Sequence, residues 1–255
     1  MQLVDTHCHI DIEAFDADRE QVLQRASELG VRHLIVPAID AAHWEGLIGL
    51  CDMRPGLFPA LGLHPVSLAA HSADDVAALE SMIVKHRPVA VGEIGLDYFV
   101  RELDRDQQQT LFESQLEVAR NIDLPVILHV RKAHDEVIAI LKRIPVRSGT
   151  VHAFNGSLQQ AQRYIDMGFK LGFGGMLTYP RSTKIKQLAA ELPIDAIVLE
   201  TDAPDMTVAT HQGERNSPEY LPYCLQALAD VRDVGLDELA RLTTRNACSV
   251  FALEL

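Results

Sequence analysis

One alternation limits what this chain can fold into. Short runs rich in Val, Ile and Leu recur eight times, separated by stretches of helical period. The runs cover 3–7 (LVDTH), 33–38 (HLIVPA), 57–62 (LFPALG), 89–94 (VAVGEI), 125–130 (PVILHV), 149–154 (GTVHAF), 169–175 (FKLGFGG) and 196–201 (AIVLET). Between them, 18–29 places Val22, Leu23, Ala26 and Leu29 on one face, and 106–120 gathers Leu111, Phe112, Gln115, Leu116 and Ala119. Residues 74–86, 134–143, 157–167 and 184–191 have the same period. Strands alternating with helices pair in parallel through right-handed crossovers. Eight such units in 255 residues predict an α/β fold, a single (β/α)8 TIM barrel spanning residues 1–255. The alternative is an open doubly wound sheet, but no G-x-G-x-x-G follows an early strand. From Ser217 to Leu255 the pattern gives two more helices, beginning at Pro218 and near Asp237, expected to cap the barrel.

Composition narrows the functional classes. The formal net charge of −13 argues against a protein that sequesters nucleic acid, because non-specific affinity rests on Lys and Arg neutralising phosphates. It leaves room for an enzyme that meets phosphate at a local metal centre, where bound cations dominate the charge. Cys8, Cys51, Cys224 and Cys248 form no C-x-x-C pair and no disulfide framework. The N-terminus MQLVDTHCHI has no basic n-region or apolar h-region, and no apolar run reaches the roughly 18 residues of a membrane span. The expectation is a reduced, cytoplasmic enzyme with no membrane association and no stable protein partner.

In a barrel of this kind the active site lies at the C-terminal ends of the strands. Strand 1 ends in Asp5-Thr6-His7-Cys8-His9, strand 4 in Gly92-Glu93-Ile94-Gly95, strand 5 in Leu128-His129, strand 6 in Val151-His152 and strand 8 in Glu200-Thr201-Asp202. Alternate residues of a strand face the same way, so His7 and His9 can both face the barrel axis. Glu93 lies in a buried apolar run between glycines expected to leave space beside it. A buried carboxylate needs a partner or a cation, and its two oxygens can bridge two metals. Taken singly, each residue has an ordinary explanation: a polar strand end for His7 and His9, a salt bridge for Glu93, a satisfied core histidine for His129 or His152, and an N-cap for Asp202. Convergence of four histidines and two carboxylates on one mouth points instead to a metal site. Nitrogen and oxygen ligands without thiolate suit Mg, Mn, Zn, Co or Ni, and two divalent ions can clamp the attacking and leaving oxygens of a displacement. Asp202 and Glu93 then form the catalytic pair, with Asp202 as ligand and as base for the attacking water.

The stretches DTHCH, VGEIGLDY, LPVILHVR, TVHAFNGS and LETDAP resemble the TatD family of metal-dependent deoxyribonucleases, within the amidohydrolase-like barrels. The likeness runs from about residue 3 to the C-terminus. HAFNGSLQQAQRYIDMGFKLGFGGMLTYPRS and ETDAPDM are closest to its YjjV-like branch. The resemblance implies two divalent ions, one held by His7, His9, Glu93 and Asp202, the other by Glu93, His129 and His152. It also implies substrate contacts from His64, in LGLHP, and from Arg131, whose alternatives are a histidine bonded within its loop and a surface ion pair. Two features depart from the family pattern. Ala153 and Asn155 follow His152 where the family often has Gly or Cys, and then Ser two residues further on. The segment 207–216, TVATHQGERN, departs from the Pro- and Arg/Lys-containing loop typical of the deoxyribonuclease members.

The leading functional expectation is hydrolysis of DNA, or of a small phosphodiester, with Arg131, Lys132, Arg181 and Arg215 as available phosphate partners. Against a single-stranded polymer stands the lack of an aromatic stripe; only Tyr98, Phe99, Phe154 and Tyr179 lie near strand ends. The alternatives are a hydrolase of a small ester, amide or lactone, since fold does not fix substrate, and a non-catalytic metal-binding or quality-control partner.

Overall fold

The computed structural model describes residues 2–255. Its strands are β1 (Leu3–Asp5), β2 (Val31–Pro37), β3 (Leu57–Leu61), β4 (Ala90–Asp97), β5 (Val126–Arg131), β6 (Gly149–Val151), β7 (Phe169–Phe173) and β8 (Ile197–Leu199). They form one parallel sheet in the order β1 to β8. This strictly sequential order, without a reversal, is that of a TIM barrel and excludes the doubly wound alternative.

The seam between β8 and β1 closes just beyond the strands proper. Thr6 N–H donates to Leu199 O at 3.0 Å, Asp202 N–H to His7 O at 2.8 Å and His9 N–H to Ala203 O at 2.8 Å. Strands 1, 6 and 8 are therefore shorter than the apolar runs suggest, because at the mouth the chain turns from regular pairing into the loops that carry the ligands. The Asp5 carboxylate stitches the same seam. It accepts from His7 N–H at 3.2 Å, from Thr201 N–H at 2.9 Å and from the Thr201 hydroxyl.

The outer helices are α1 (Arg19–Glu28), α2 (Trp44–Met53), α3 (Ala73–His86), α4 (Arg105–Ile122), α5 (His134–Arg143), α6 (Leu158–Asp166), α7 (Thr183–Glu191), α8 (Leu221–Arg232) and α9 (Leu236–Phe251). Six coincide with the expected stretches to within a residue or two. α2 has no counterpart among those stretches, since Gly46 and Gly49 lower its helical propensity. Burial of Trp44, Leu47, Ile48, Leu50 and Cys51 outweighs that cost.

The two C-terminal helices do different work, which corrects the expectation that both cap the barrel. α8 packs beside α7 as the eighth member of the outer ring. α9 crosses the N-terminal ends of β1 and β8, where Asn246 Nδ2 donates to Ile194 O at 2.7 Å and Ile197 O at 2.8 Å. Its Val250 and Phe251 close a cluster made by Ile35, Ala60, Ala90 and Ile127, one residue from each of β2 to β5. The floor opposite the active mouth is thus apolar and sealed. No helix among the described residues is long and apolar enough to cross a membrane.

Removing the Phe251 ring should leave a cavity under the barrel. Phe251→Ala is expected to cost about 3–5 kcal/mol of stability, measured by chemical denaturation. Metal content per folded chain should stay at the parent value, because the lesion is at the opposite end from the ligands.

Candidate active site

Glu93 stands at the centre of the mouth, 2% exposed, with imidazole nitrogens around both oxygens. Oε2 is 3.1 Å from His7 Nε2 and 3.5 Å from His9 Nε2. Oε1 is 3.0 Å from His129 Nδ1, 3.4 Å from His64 Nε2 and 3.7 Å from His152 Nε2. Asp202 completes the group, with Oδ1 3.6 Å from His7 Nε2 and Oδ2 3.9 Å from His152 Nε2. All six expected ligand side chains therefore meet at one place. The spacing sets His152 beside His7 and Glu93, with ring centroids 3.9 Å from His7 and 6.0 Å from His129.

The glycines flanking Glu93 serve a purpose other than making room for its carboxylate. A Cβ on Gly92 would lie 2.6 Å from Ile127 Cβ, and one on Gly95 would lie 2.0 Å from His129 O, where φ is +147°. They let β5 approach β4, which brings His129 against Glu93.

The outer ring nitrogens decide which histidines can hold a cation. His9 Nδ1 is 3.0 Å from Pro37 O, which can only accept, so Nδ1 carries the proton and Nε2 turns a lone pair inward. His129 Nε2 is 3.1 Å from Asp97 Oδ2, and His152 Nδ1 is 3.2 Å from Glu200 Oε1. Asp97 at its outer nitrogen presents His129 Nδ1 as an inward lone pair, the arrangement that orients metal-ligating imidazoles, while Glu200 faces the outer nitrogen of His152 without a hydrogen bond. His7 is fully buried, and its outer Nδ1 has no partner among the described residues. His64 is the reverse case. Its Nδ1 accepts from Val66 N–H at 3.1 Å, so Nε2 carries a proton toward Glu93. Spacing alone would admit His64 as a ligand beside Glu93 and His129. Its tautomer makes it a hydrogen-bond donor to whatever occupies the mouth.

These residues fit divalent cations. Lone pairs on His129 Nδ1 and Glu93 Oε1, 3.0 Å apart, repel unless a proton or cation stands between them. His7 Nε2 and His9 Nε2, 3.2 Å apart, pose the same problem. Donors bound to one ion at about 2.1 Å necessarily stand roughly 3 Å or more apart, as they do here. The electrostatics agree. Burial opposes charge on His9 and His152, yet the carboxylates around them prevail, raising His9 to about 9 and His152 to about 10. Burial also opposes charge on Glu93, but the surrounding imidazoles hold it well below the usual carboxylate range. Burial prevails at Asp202, which is raised to about 6, and at Asp5, raised to about 7.

Several groups outside the expected ligand set turn out to position it. Asp97 lies on the face of β4 that carries Glu93, so alternation along GEIGLD could have revealed it. Glu200, buried at the end of β8, accepts from Ala153 N–H at 2.6 Å as well as facing His152. Ala153 has φ +44°, which accounts for the family's glycine there, and Asp202 has φ +59°. Buried Asn216 holds the 207–216 loop to the site by donating to Thr201 O at 2.7 Å and Asp205 O at 2.6 Å, and no local pattern announces it.

Among the expected phosphate partners, Arg131 lies half exposed on the wall of the same cavity of about 420 Å³, its Nη1 3.8 Å from Asp97 Oδ2. Lys132 and Arg181 are exposed. Arg215 is a correction: it pairs with Asp18 at 2.7 Å and lies over Phe15, so its role is structural. Of the four aromatic residues near strand ends, Phe154 and Tyr98 are buried, Tyr179 bonds Thr207 O, and only Phe99 is exposed, with the Arg131 guanidinium over its ring.

This cluster meets a sequence match of the same scope: the family of TatD related DNases covers residues 4–252. The chain belongs to the TatD family. As a member it is a metal-dependent hydrolase. The uncharacterized metal-dependent hydrolase YjjV of Escherichia coli K12 is 42% identical over 98% of each chain. The crystal structure of YjjV superposes with a TM-score of 0.94, covering 99% of this chain and 98% of that one. The 3'-5' ssDNA/RNA exonuclease TatD of a Pantoea species is 32% identical over 94% of this chain and 95% of its own length.

The electrostatics predict how the TatD-family site responds to pH once chelation has stripped it. Raised folded-state pKa values on His9 and His152 contribute stability that is full below pH 6.5 and lost as pH rises through 9 to 10. Raised Asp202 and Asp5 act in the same direction at lower pH. Thermal unfolding with chelator present should show a falling midpoint from pH 6 to 10. Affinity for divalent ions should rise over the same range, because bound protons must leave before the ion enters. A flat midpoint together with a pH-independent affinity would contradict this.

Proposed function

We propose that this protein is a divalent-metal-dependent phosphodiesterase, a deoxyribonuclease of the TatD type working at a binuclear centre. The carrying observation is the way the two oxygens of Glu93 divide the ligands. Oε2 faces His7 and His9, with Asp202 beside them, and Oε1 faces His129 at 3.0 Å, while His152, 3.7 Å from Oε1, stands beside His7. In this reading Glu93 would be shared by two ions, one held with His7, His9 and Asp202 and the other with His129 and His152. Mg, Mn, Zn, Co and Ni all suit such nitrogen and oxygen donors. Divalent ions held there would polarise a phosphoryl oxygen and lower the pKa of an attacking water.

The chain's own residues supply the rest. Asp202, 15% exposed, is the more open of the two acids and faces the cavity, so its carboxylate takes the proton from water. His64 donates its Nε2 proton to the phosphodiester, and Arg131 pairs with the flanking phosphate at the rim. The nuclease name of the Pantoea relative supports DNA as substrate.

A second reading has one specific observation behind it. A cavity of about 230 Å³ beside Asp202 is walled by Phe154, Phe173, Met176, Ile185 and Met206. Such a slot would receive the apolar part of a small ester, amide or lactone.

Purified protein reconstituted with each metal in turn should release nucleotides from DNA and hydrolyse small phosphodiesters faster than carboxylic esters, amides or lactones. The opposite order would favour the second reading. Asp202→Asn should retain the fold and lower turnover by about 10²-fold or more. Near-parent turnover would remove Asp202 as the base.

A further inference from the structure

A second concentration of chemistry lies on the loops after β4 and β5. Phe99 is 54% exposed, and the Arg131 guanidinium lies 3.8 Å above its ring centre. Arg131 also lines the cavity holding His129, His152 and Asp202, so it stands between the Phe99 ring and that cavity. Beyond Phe99 runs a groove of about 700 Å³ lined by Tyr98, Phe99, Arg101, Arg105, Lys132 and Glu136. Arg101, Arg105 and Lys132 are exposed, and none pairs with a carboxylate among the described residues. By contrast, Arg19, Arg25, Arg54, Arg143 and Arg215 each do. Arg105 is held by stacking 4.4 Å over Tyr98, whose hydroxyl accepts from Gln109 Nε2. Lys132 is set by a left-handed backbone, φ +59°, directly after Arg131.

Among the residues lining this groove three unpaired cations outnumber one acid, in a chain of net charge −13. Only Glu136 among the lining residues is acidic. We propose that this groove is the track along which a single-stranded polynucleotide leaves the metal centre. Successive phosphates meet Arg101, Arg105 and Lys132, and one base stacks on Phe99 next to Arg131. Backbone cations with an exposed aromatic platform are the equipment for sequence-independent binding of single strands. A polyanion without bases would have no use for the ring. The proposal rests on the phosphodiesterase reading and adds to it where the polymer runs and which residues select for length.

The test uses the metal-reconstituted enzyme and oligothymidylates of two to ten nucleotides. For the parent, KM should fall at least tenfold from the dinucleotide to the decanucleotide and rise steeply with salt. In Arg101→Ala/Arg105→Ala/Lys132→Ala, whose changes are all at exposed positions, that length dependence should vanish. The logarithmic salt slope should fall by roughly 0.7 for each phosphate that no longer meets a cation. Phe99→Ala should raise KM for the decanucleotide roughly tenfold and leave the salt slope at the parent value. Inorganic polyphosphate should compete with the decanucleotide equally well in parent and Phe99→Ala. A parent KM independent of length, or a triple variant that keeps the parent's length and salt dependence, would overturn the track while leaving the phosphodiesterase standing. A parent that cleaves no phosphodiester of any length would overturn the reading beneath it.

Discussion

Everything at this mouth is arranged around one buried carboxylate. An ionised Glu93, removed from water, costs several kcal/mol unless positive charge stands close by. The barrel answers by bringing imidazoles from the ends of β1, β5 and β6 and from the loop after β3 to within 3.0–3.7 Å of its oxygens. No fixed ammonium or guanidinium contacts it among the described residues. Histidines balance a carboxylate only when protonated or when they share a cation with it, and sharing a cation is what a metal-dependent hydrolase requires.

The fold supplies this arrangement through two close approaches. Gly92 and Gly95 let β5 press against β4, setting His129 on Glu93. The β8–β1 seam locks His7 to Asp202 through a backbone hydrogen bond of 2.8 Å, with Asp5 clamping Thr201 beside it. Outer partners then sort the imidazoles by tautomer. Pro37 O and Asp97 turn lone pairs of His9 and His129 inward, with Glu200 facing His152, whereas the Val66 amide turns a proton of His64 inward. The histidines around Glu93 are thereby divided into those that turn a lone pair inward and one that turns a proton inward. At the opposite end, Val250 and Phe251 of α9 close an apolar floor.

Much of this was legible in the sequence, for a physical reason. The barrel repeats one period eight times, so each run and its helix reinforce the same reading, and ligands at strand ends follow from topology. His7, His9, Glu93, His129, His152 and Asp202 were readable because each lies in or just beyond an apolar run. What could not be read depends on contacts between distant segments. α2 is formed by burial against a glycine-weakened propensity. Asn216 acts through a loop that folds back on β8. The lock on Arg215 is set by Asp18, almost two hundred residues away in the chain. The exposure of Phe99 was hidden in the same way, since exposure of an aromatic depends on what packs around it.

Placement of cations relative to Glu93 tests the account most directly. Crystals soaked in Mn²⁺ and measured for anomalous scattering should show two peaks at the mouth. One should lie among Glu93 Oε2, His7, His9 and Asp202, the other among Glu93 Oε1, His129 and His152. A single peak, or peaks that leave either oxygen of Glu93 without an ion, would contradict the bridging role on which the hydrolytic centre depends.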